Sequence, residues 1–179
     1  KDLIYKGTKV VPFSAALGTA LSNFEAGQNY KEVQDPAITI LFKLKDEDAY
    51  MAAWTTTPWT LPSTLAWCVG PEIDYVKVED KDLGKLIYMA EARVPAYSKK
   101  RKLEVVSKCK GLDLKGRKYE PLFDYFSSLA TDGAFQVLVD GYVSTENGTG
   151  IVHTAPSFGE DDNRIVKQAG LILEACPVD

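Results

Sequence analysis

The sequence predicts a mainly β fold with a few helices, an α+β domain organised around a β-barrel-like sheet. Three observations support this expectation. Short runs rich in β-branched and aromatic residues recur along the middle of the chain. Turn dipeptides such as Asp132-Gly133 and Asn147-Gly148 separate the later runs. Helix features are confined to a few short segments, and many short strands with few helices are typical of barrel-like domains.

Length and composition favour one globular domain. The 179 residues are 45% hydrophobic, enough for a sizeable core, and no internal repeat divides residues 1–179. The chain begins with Lys1 rather than Met, so we expect a fragment of a larger protein. No apolar run approaches the ~20 residues that span a membrane, and the start lacks a signal-peptide pattern. We therefore expect no membrane partner and a cytoplasmic location.

The strands are expected where β-branched and aromatic residues cluster between turn signals. The first run is bounded by Pro36 and Asp46, and alternation in residues 75–79 predicts one buried and one wet face. The expected strands are residues 37–44, 49–55, 67–69, 75–79, 86–89, 104–106, 135–139 and 151–153.

Helices are expected at two places. Residues 90–97 form a short candidate, and residues 161–169 form a clearer one, with an acidic start and Gly170 at its end. Residues 1–30 are rich in small and polar side chains and predict irregular connections, with a turn or short helical end at residues 23–27.

The charge and the cysteines exclude several kinds of site. A net charge of −4 argues against a broad nucleic-acid footprint. Two local basic clusters, residues 99–102 and 115–118, are either solvated surface or a local phosphate contact. Cys68, Cys109 and Cys176 are an odd number at wide spacing, which predicts reduced thiols rather than disulfides or a zinc site.

Hydroxyl side chains concentrate where Thr55, Thr56 and Thr57 precede Pro58 and Trp59. Three adjacent threonines cannot all face one way, and the Pro-Trp pair forces the chain out of regular strand pairing. The hydroxyls near the turn are then available to bond a ligand. A threonine-rich edge strand ended by proline is the plain structural alternative.

The only histidine, His153, follows Gly148-Thr149-Gly150, where small residues let another group approach the backbone. A structural role for this histidine is the alternative to a site role. No second histidine or cysteine lies at metal-ligand spacing, so we expect no metal site. Ser157 lacks a nucleophile-elbow pattern, which argues against a catalytic triad.

An acidic run, Glu160-Asp161-Asp162, follows the histidine segment. One of the two aspartates is expected to cap the following helix. Adjacent residues at a helix start point in different directions, so the other aspartate can face a pocket. A carboxylate beside threonine hydroxyls suits an ammonium group on a ligand.

Together these segments resemble the editing domain of isoleucyl-tRNA synthetases, the insertion called connective peptide 1. The resemblance is carried by Trp-Thr-Thr-Thr-Pro-Trp-Thr-Leu-Pro at residues 54–62, and by Gly-Thr-Gly-Ile-Val-His-Thr-Ala-Pro at 148–156 with the acidic run. Residues 21–25 and 119–125 add matches, so it covers most of the chain. The linking segments resemble a eukaryotic cytoplasmic enzyme.

Two positions refine the resemblance. Valyl- and leucyl-type relatives carry arginine where this chain has Thr57, which favours the isoleucine enzyme. Bacterial members often carry asparagine where this chain has Thr64, so an editing contact made by that amide cannot be transferred to this sequence.

The resemblance implies hydrolysis of valyl-tRNA made in error on an isoleucine tRNA, with water as nucleophile. The implied catalytic residues are Thr55, Thr56 and Asp162, with Asp162 on the α-ammonium group and the threonine hydroxyls on the terminal adenosine, the ester and the water. The implied substrate-binding residues are Thr57, Trp59, Thr60 and His153. Thr60 and His153 would exclude the extra methyl of isoleucine, and Trp59 would pack beside them. The general base stays open between His153 and the free ribose hydroxyl.

The implied partners are the 3′ end of tRNA(Ile) carrying valine and the rest of the synthetase chain. No cofactor is implied for this domain, because ATP and magnesium belong to the synthetic part of the parent enzyme. Three alternatives remain: a non-catalytic nucleic-acid-binding barrel, an insertion whose editing has decayed, and a valine-type editing domain that removes threonine.

Overall fold

A computed structural model describes residues 4, 7, 9–28, 30–171 and 175. An eight-stranded sheet dominates, and a two-stranded hairpin lies near the start. The strands are β1 (Phe13–Ser14), β2 (Thr19–Ala20), β3 (Ile38–Lys43), β4 (Tyr50–Thr55), β5 (Ala66–Val69), β6 (Asp74–Asp80), β7 (Lys85–Ala90), β8 (Leu103–Lys110), β9 (Gln136–Val139) and β10 (Ile151–Thr154). The α-helices are α1 (Asn23–Ala26), α2 (Val94–Ser98) and α3 (Glu160–Gln168), and the 3₁₀ segments are Pro58–Ser63, Glu91–Arg93, Gly111–Leu114 and Asp124–Asp132.

Strand β4 is the junction of the sheet. One edge pairs antiparallel with β3 along its whole length. The start of its other edge pairs parallel with β7, and the end pairs parallel with β10. From β10 the sheet continues through β5 to β9. Antiparallel strands β6 and β8 extend outward from β7.

Two isolated bridges close the sheet into a small barrel. Leu44, just after β3, bridges to Tyr119, and Lys118 bridges to Gln136 at the start of β9. Residues 118–119 therefore join the two ends of the run from β3 through β4, β10 and β5 to β9. This closure confirms the barrel-like α+β fold that the sequence predicts.

The two faces of the barrel wall pack into separate cores. Inside lies an aromatic cluster, with the Phe42 and Trp67 ring centroids 4.1 Å apart and Tyr119 between them and Phe135. Outside, a smaller apolar cluster contains Ala52, Val76, Val78, Ile87 and Met89. Because side chains alternate along a strand, Met51 and Ala53 of β4 face inward and Ala52 and Trp54 face outward. Thr55 therefore ends β4 on its inner face.

The expected strands in the middle of the chain are all present, with shifted ends. β8 reaches Lys110 instead of ending at Val106, because it pairs with β6 through a register shift at Lys77 and Val78. The prediction that residues 75–79 have one buried and one exposed face is only partly right. Tyr75 is buried in the main core, where its hydroxyl donates to the carbonyl oxygen of Gly150 (2.6 Å) and accepts from the Gly70 N–H.

The helices and the first thirty residues differ from expectation in detail. The candidate at residues 90–97 divides into a 3₁₀ segment and α2, and α3 begins one residue before its predicted start. The predicted helical end at residues 23–27 is α1, held by a reciprocal capping box between Ser22 and Glu25. The β1–β2 hairpin was not predicted.

Two cysteines fall in the described part of the chain and are free thiols. Cys68 is buried, which raises its pKa to about 12, and Cys109 is half-buried. Cys176 lies outside the described residues. No helix within the described ranges has the length and apolarity needed to cross a bilayer.

Candidate functional site

The threonine run becomes a turn that leaves the inner face of β4. The strand ends at Thr55, and a 3₁₀ segment begins at Pro58, whose fixed φ suits the first position of a helix. The Thr55 hydroxyl accepts a hydrogen bond from the Thr57 N–H at 3.0 Å. The Thr60 hydroxyl donates to the carbonyl oxygen of Thr57 at 2.8 Å. These local bonds fix the turn and gather its hydroxyls.

The gathered hydroxyls form a chain that ends at the histidine. The Oγ1 atoms of Thr55 and Thr57 are 3.3 Å apart, and those of Thr57 and Thr60 are also 3.3 Å apart. Thr60 Oγ1 lies 3.5 Å from His153 Nε2. The sequence-predicted residues Thr55, Thr57, Thr60 and His153 therefore meet in one place, and we call these four the hydroxyl chain.

Two predicted residues lie on the solvent side of this turn. Thr56 is exposed, and no described hydrogen bond joins its hydroxyl to the hydroxyl chain. Trp59 is 65% exposed, so most of its ring is open to solvent, and its expected packing beside the wall formed by Thr60 and His153 stays a prediction. Thr56 directly follows the last residue of β4, and there the chain turns its side chain to solvent while Thr55 stays buried.

His153 is held as a buried neutral imidazole. It lies on β10, opposite Trp67 of β5, and is 8% exposed. Burial lowers the pKa of this imidazole to about 4, because a dehydrated site disfavours the charged form. The imidazole is therefore uncharged at neutral pH, with one ring nitrogen as donor and the other as acceptor.

Glycines before β10 let the strand approach its neighbours. Gly150 has φ +74°, and a Cβ there would lie 2.5 Å from the Ala90 Cβ. Gly148 has φ +65°, and a Cβ there would lie 2.8 Å from the Trp54 side chain. A larger residue would strain the backbone at either position, and it would clash with β4 at residue 148 and with the end of β7 at residue 150. The glycines thus bring His153 to the end of the threonine run.

The second aspartate of the acidic run is turned toward β10. Asp162 Oδ2 accepts a hydrogen bond from the Ala155 N–H at 2.9 Å, two residues after His153. Burial raises the pKa of Asp162 to about 6, since few groups offset its lost hydration. No lysine or arginine pairs with Asp162 among the described residues.

The capping prediction for the acidic run is wrong. Gly159 is the N-cap of α3, with no side-chain cap bond, and both aspartates lie inside the helix. Asp161 pairs with Arg164 at 3.0 Å instead. Gly159 leaves room for Asp162, because a Cβ there would lie 2.7 Å from the carboxylate oxygen and would displace that side chain. Asp162 is therefore positioned by β10 and by the glycine, not by helix capping.

One site residue was missed by sequence reasoning. Thr64 is buried, and its Oγ1 lies 3.4 Å from His153 Nδ1. With Thr60 at Nε2, it places a hydroxyl at each nitrogen of the imidazole. The signal in the sequence is a second hydroxyl four residues after Thr60, across Pro62.

The remaining sequence candidates have other contacts. The Ser157 hydroxyl accepts a hydrogen bond from the Ala175 N–H and makes no bond to His153 that the structure describes. Arg117 of the second basic cluster pairs with Asp46 and Glu47, which makes it part of a structural ion network. Within the described residues, no group of three His, Cys, Asp or Glu side chains is placed to hold a metal ion.

The chain is similar to isoleucine–tRNA ligases along its whole length. It is 54% identical to the cytoplasmic enzyme of Mus musculus and 52% identical to the enzyme of Bdellovibrio bacteriovorus, over 100% of this chain in each case. It is 49% identical to the cytoplasmic enzyme of Saccharomyces cerevisiae over 97% of this chain. The chain spans 15% to 17% of the length of these relatives. Both eukaryotic cytoplasmic and bacterial ligases are thus among its relatives.

Solved editing domains share the fold. A leucyl-tRNA synthetase domain described as GlLeuRS-CP1 superposes with a TM-score of 0.60 at 21% identity, covering 76% of this chain and 65% of that one. The editing domain of a Plasmodium knowlesi cytosolic leucyl-tRNA synthetase ("P.knowlesi") gives a TM-score of 0.61 at 13% identity, covering 75% and 63%. The barrel is therefore the fold of class I editing domains.

The family model for class I tRNA synthetases of the I, L, M and V type matches residues 1–158, which include the hydroxyl chain. The chain belongs to the class I tRNA synthetases of this group.

Proposed function

We propose that this chain is the post-transfer editing domain of an isoleucyl-tRNA synthetase and hydrolyses the ester of valyl-tRNA(Ile). The observation that carries the proposal is the hydroxyl chain ending at a buried neutral His153, with Asp162 beside the same strand. The identity with isoleucine–tRNA ligases and the editing-domain fold support it. The names of the mouse and yeast relatives support a cytoplasmic location.

A hydrolytic site separate from the synthetic site has a clear physical purpose in such an enzyme. Valine lacks one methylene of isoleucine, and a pocket built for the larger side chain gains only about 1–3 kcal/mol from that group, a figure for which this discrimination is itself a standard example. A smaller hydrolytic pocket separates the two by steric exclusion. It admits valine and rejects isoleucine.

Asp162 is proposed to bind the α-ammonium group of the mischarged amino acid. The only hydrogen bond described for its carboxylate comes from the Ala155 N–H, which leaves acceptor capacity for a further donor. The raised pKa of about 6 still leaves the group mostly ionised at neutral pH. An ammonium partner would lower that pKa again and hold the ester in a fixed orientation.

Thr60 and His153 are proposed to form the wall that excludes isoleucine. Both are buried, and the two hydroxyls at the imidazole nitrogens limit rotation of the ring. A conjugate acid with a pKa of about 4 makes His153 a weak base at neutral pH. This argues for a wall over a general base and leaves the ribose hydroxyl as the stronger candidate base.

The threonines are proposed to position the ester and water. Thr55 and Thr57 offer hydroxyls inside the site, and Thr56 faces outward, where it suits the terminal adenosine. An ester is a labile bond, so alignment and hydrogen bonding of the developing oxyanion supply the catalysis we propose. Trp59, exposed on the same turn, is proposed to contact the tRNA end rather than the valine.

The partners follow from this proposal. The 3′ end of tRNA(Ile) enters the domain, while the rest of the synthetase holds the tRNA body and carries ATP and magnesium. The net charge of −4 fits a domain that touches only a short piece of nucleic acid.

A panel of mischarged tRNAs tests the function. The full-length synthetase that carries this chain is incubated with valyl-tRNA(Ile), isoleucyl-tRNA(Ile) and threonyl-tRNA(Val), and ester hydrolysis is followed. We expect rapid loss of the valyl ester only. Hydrolysis of none of the esters would favour a decayed insertion or a binding barrel, and preference for the threonyl ester would favour a valine-type domain.

A further inference from the structure

A cavity lies on the opposite face of β4 from the hydroxyl chain. Its volume is about 550 Å³, within the size range of small-molecule sites. Trp54 lines this cavity and Thr55 begins the hydroxyl chain, so two adjacent residues face different sites. The loop residues Asn147 and Gly148 form part of the rim.

The cavity has an apolar floor and an aromatic lining. Strands β3, β4 and β7 supply the floor, and α2 covers one side. The Tyr97 hydroxyl on α2 lies 3.0 Å from the Thr39 hydroxyl on β3, which ties the helix to the barrel wall. Trp54 and Tyr97 are the aromatic residues, and the apolar floor residues are Leu41, Ala52, Ile87 and Met89.

The rim of the cavity is positively charged. Of its three cations, Arg93 donates to the carbonyl oxygens of residues 145, 146 and 148, and Arg101 pairs with Asp80 at 2.8 Å. Lys100 is exposed and has no ion pair that the structure describes. Lys99 and Lys102 flank it in sequence. Among the described residues, Asp80 is the one carboxylate that lines the cavity, against three cations. The net charge of the lining is therefore positive and favours an anion.

We propose that this outer cavity binds a nucleotide, with the base against Trp54 and Tyr97 and the phosphate at Lys100. A planar base stacks well on aromatic side chains, and a lysine is a compact point charge for a phosphate. An inorganic anion would leave the apolar floor uncovered, and an uncharged aromatic compound would leave Lys100 without a partner. The inference concerns a second site and does not rest on the editing reaction.

Two sources could supply such a nucleotide. One is a free nucleotide, and the other is a nucleotide within a single-stranded RNA end. The shared chemistry is a base with a phosphate, and the experiment distinguishes the sources by comparing AMP with the RNA trinucleotide CCA.

The test is equilibrium binding at low salt, measured by calorimetry on the full-length protein with AMP, adenosine, inorganic phosphate and CCA. Lys100→Ala should weaken the binding of AMP at the outer cavity about fivefold or more, without changing AMP binding to the synthetic part of the enzyme or the binding of adenosine, because only the phosphate contact is lost. Lys115→Ala, an exposed lysine of the other basic cluster, is the matched control and should bind AMP normally.

A cavity-filling variant guards against an indirect effect. Ala96→Trp places a large side chain into the cavity from an exposed position on α2 and should abolish the Lys100-dependent binding of AMP. Because the inner site and the synthetic part of the enzyme also take these ligands, only the binding that Lys100→Ala removes is compared. More of it for CCA than for AMP would identify an RNA end as the ligand, and the reverse order a free nucleotide. Binding of AMP and of CCA that is equal in Lys100→Ala and the wild type would overturn the proposal even if editing is intact.

Discussion

Two carboxylates near opposite faces of β4 differ in character: Asp80, at the end of β6, is fully buried, and Asp162, on α3, is half-buried. Outside, Asp80 accepts hydrogen bonds from the backbone N–H groups of Asp82 and Leu83 and pairs with Arg101. Near the inner end, Asp162 accepts one described bond, from the Ala155 N–H. A carboxylate saturated by its own chain maintains structure, whereas a dehydrated one with spare acceptor capacity is suited to a ligand. β4 thus lies between a carboxylate that is bonded by its own chain and one that retains acceptor capacity.

Exchanging the inner carboxylate for an amide should give the largest effect. Asp162→Asn keeps an acceptor for the Ala155 N–H but removes the charge that we propose binds the ammonium group. We expect valyl-tRNA hydrolysis to fall on the order of a hundredfold, as for loss of a charge-assisted contact that also orients the ester. Asp161→Asn, which alters only an exposed pair with Arg164, should stay near the wild-type rate. Equal rates in the two variants would remove Asp162 from the mechanism.

Replacing each of the two carboxylates by an amide should change the free energy of unfolding in opposite directions. Urea unfolding of this chain at pH 7 should show Asp162→Asn more stable than the wild type by on the order of 2 kcal/mol, because a raised pKa means that ionisation opposes folding. Asp80→Asn should be less stable by about 1–3 kcal/mol, because it disturbs a fully bonded buried group. A loss of stability in both variants would mean that Asp162 is a structural carboxylate too.

The pH dependence of this difference follows from the sign of each shift. Folded Asp162 holds its proton up to a pKa of about 6, above its ordinary value of 3.8, so its destabilising contribution grows as the pH rises from about 4 to 6. The extra free energy of unfolding of Asp162→Asn over the wild type should therefore shrink as the pH is lowered from 7 toward 4. His153 acts oppositely: its pKa of about 4 is below the ordinary 6.5, so stability is lost as the pH falls through that interval. Subtracting wild type from variant at each pH removes the histidine contribution.

Loss of one hydroxyl at the imidazole should have a smaller effect. The contacts of Thr64 and Thr60 with His153 are long, at 3.4 and 3.5 Å, so each contributes modestly to its orientation. Thr64→Val keeps the shape and should slow valyl ester hydrolysis about threefold to tenfold. Thr131→Val, an exposed threonine bonded to the Ser128 carbonyl oxygen, is the control and should have no effect. Wild-type activity in Thr64→Val would show that the imidazole needs only one hydroxyl.

The sequence predicts the inner site better than the outer one, for a physical reason. Thr55, Thr57 and Thr60 lie in one short turn, and the glycines around His153 mark a close approach of strands, so the local pattern carries most of that site. The outer cavity depends on α2 resting on β3 through Thr39 and Tyr97, 58 residues apart. No local pattern encodes such a contact.

Other features were also beyond the local pattern. Barrel closure depends on single bridges at residues 118–119, which are too short to show alternation. The outward orientation of Thr56 and Trp59 depends on where β4 ends and the 3₁₀ segment begins. The capping role expected for the acidic run failed because Gly159 already starts α3, which frees Asp162 to reach Ala155.

The measurement that tests the inner site most directly is the ratio of valyl to isoleucyl ester hydrolysis on tRNA(Ile), in the wild type and in His153→Ala. The account predicts a ratio on the order of a hundred or more in the wild type, because an added methyl would overlap the buried imidazole. In the variant the isoleucyl ester should be hydrolysed too, so that the ratio approaches one. Equal slowing of both esters with an unchanged ratio would contradict a steric wall at His153.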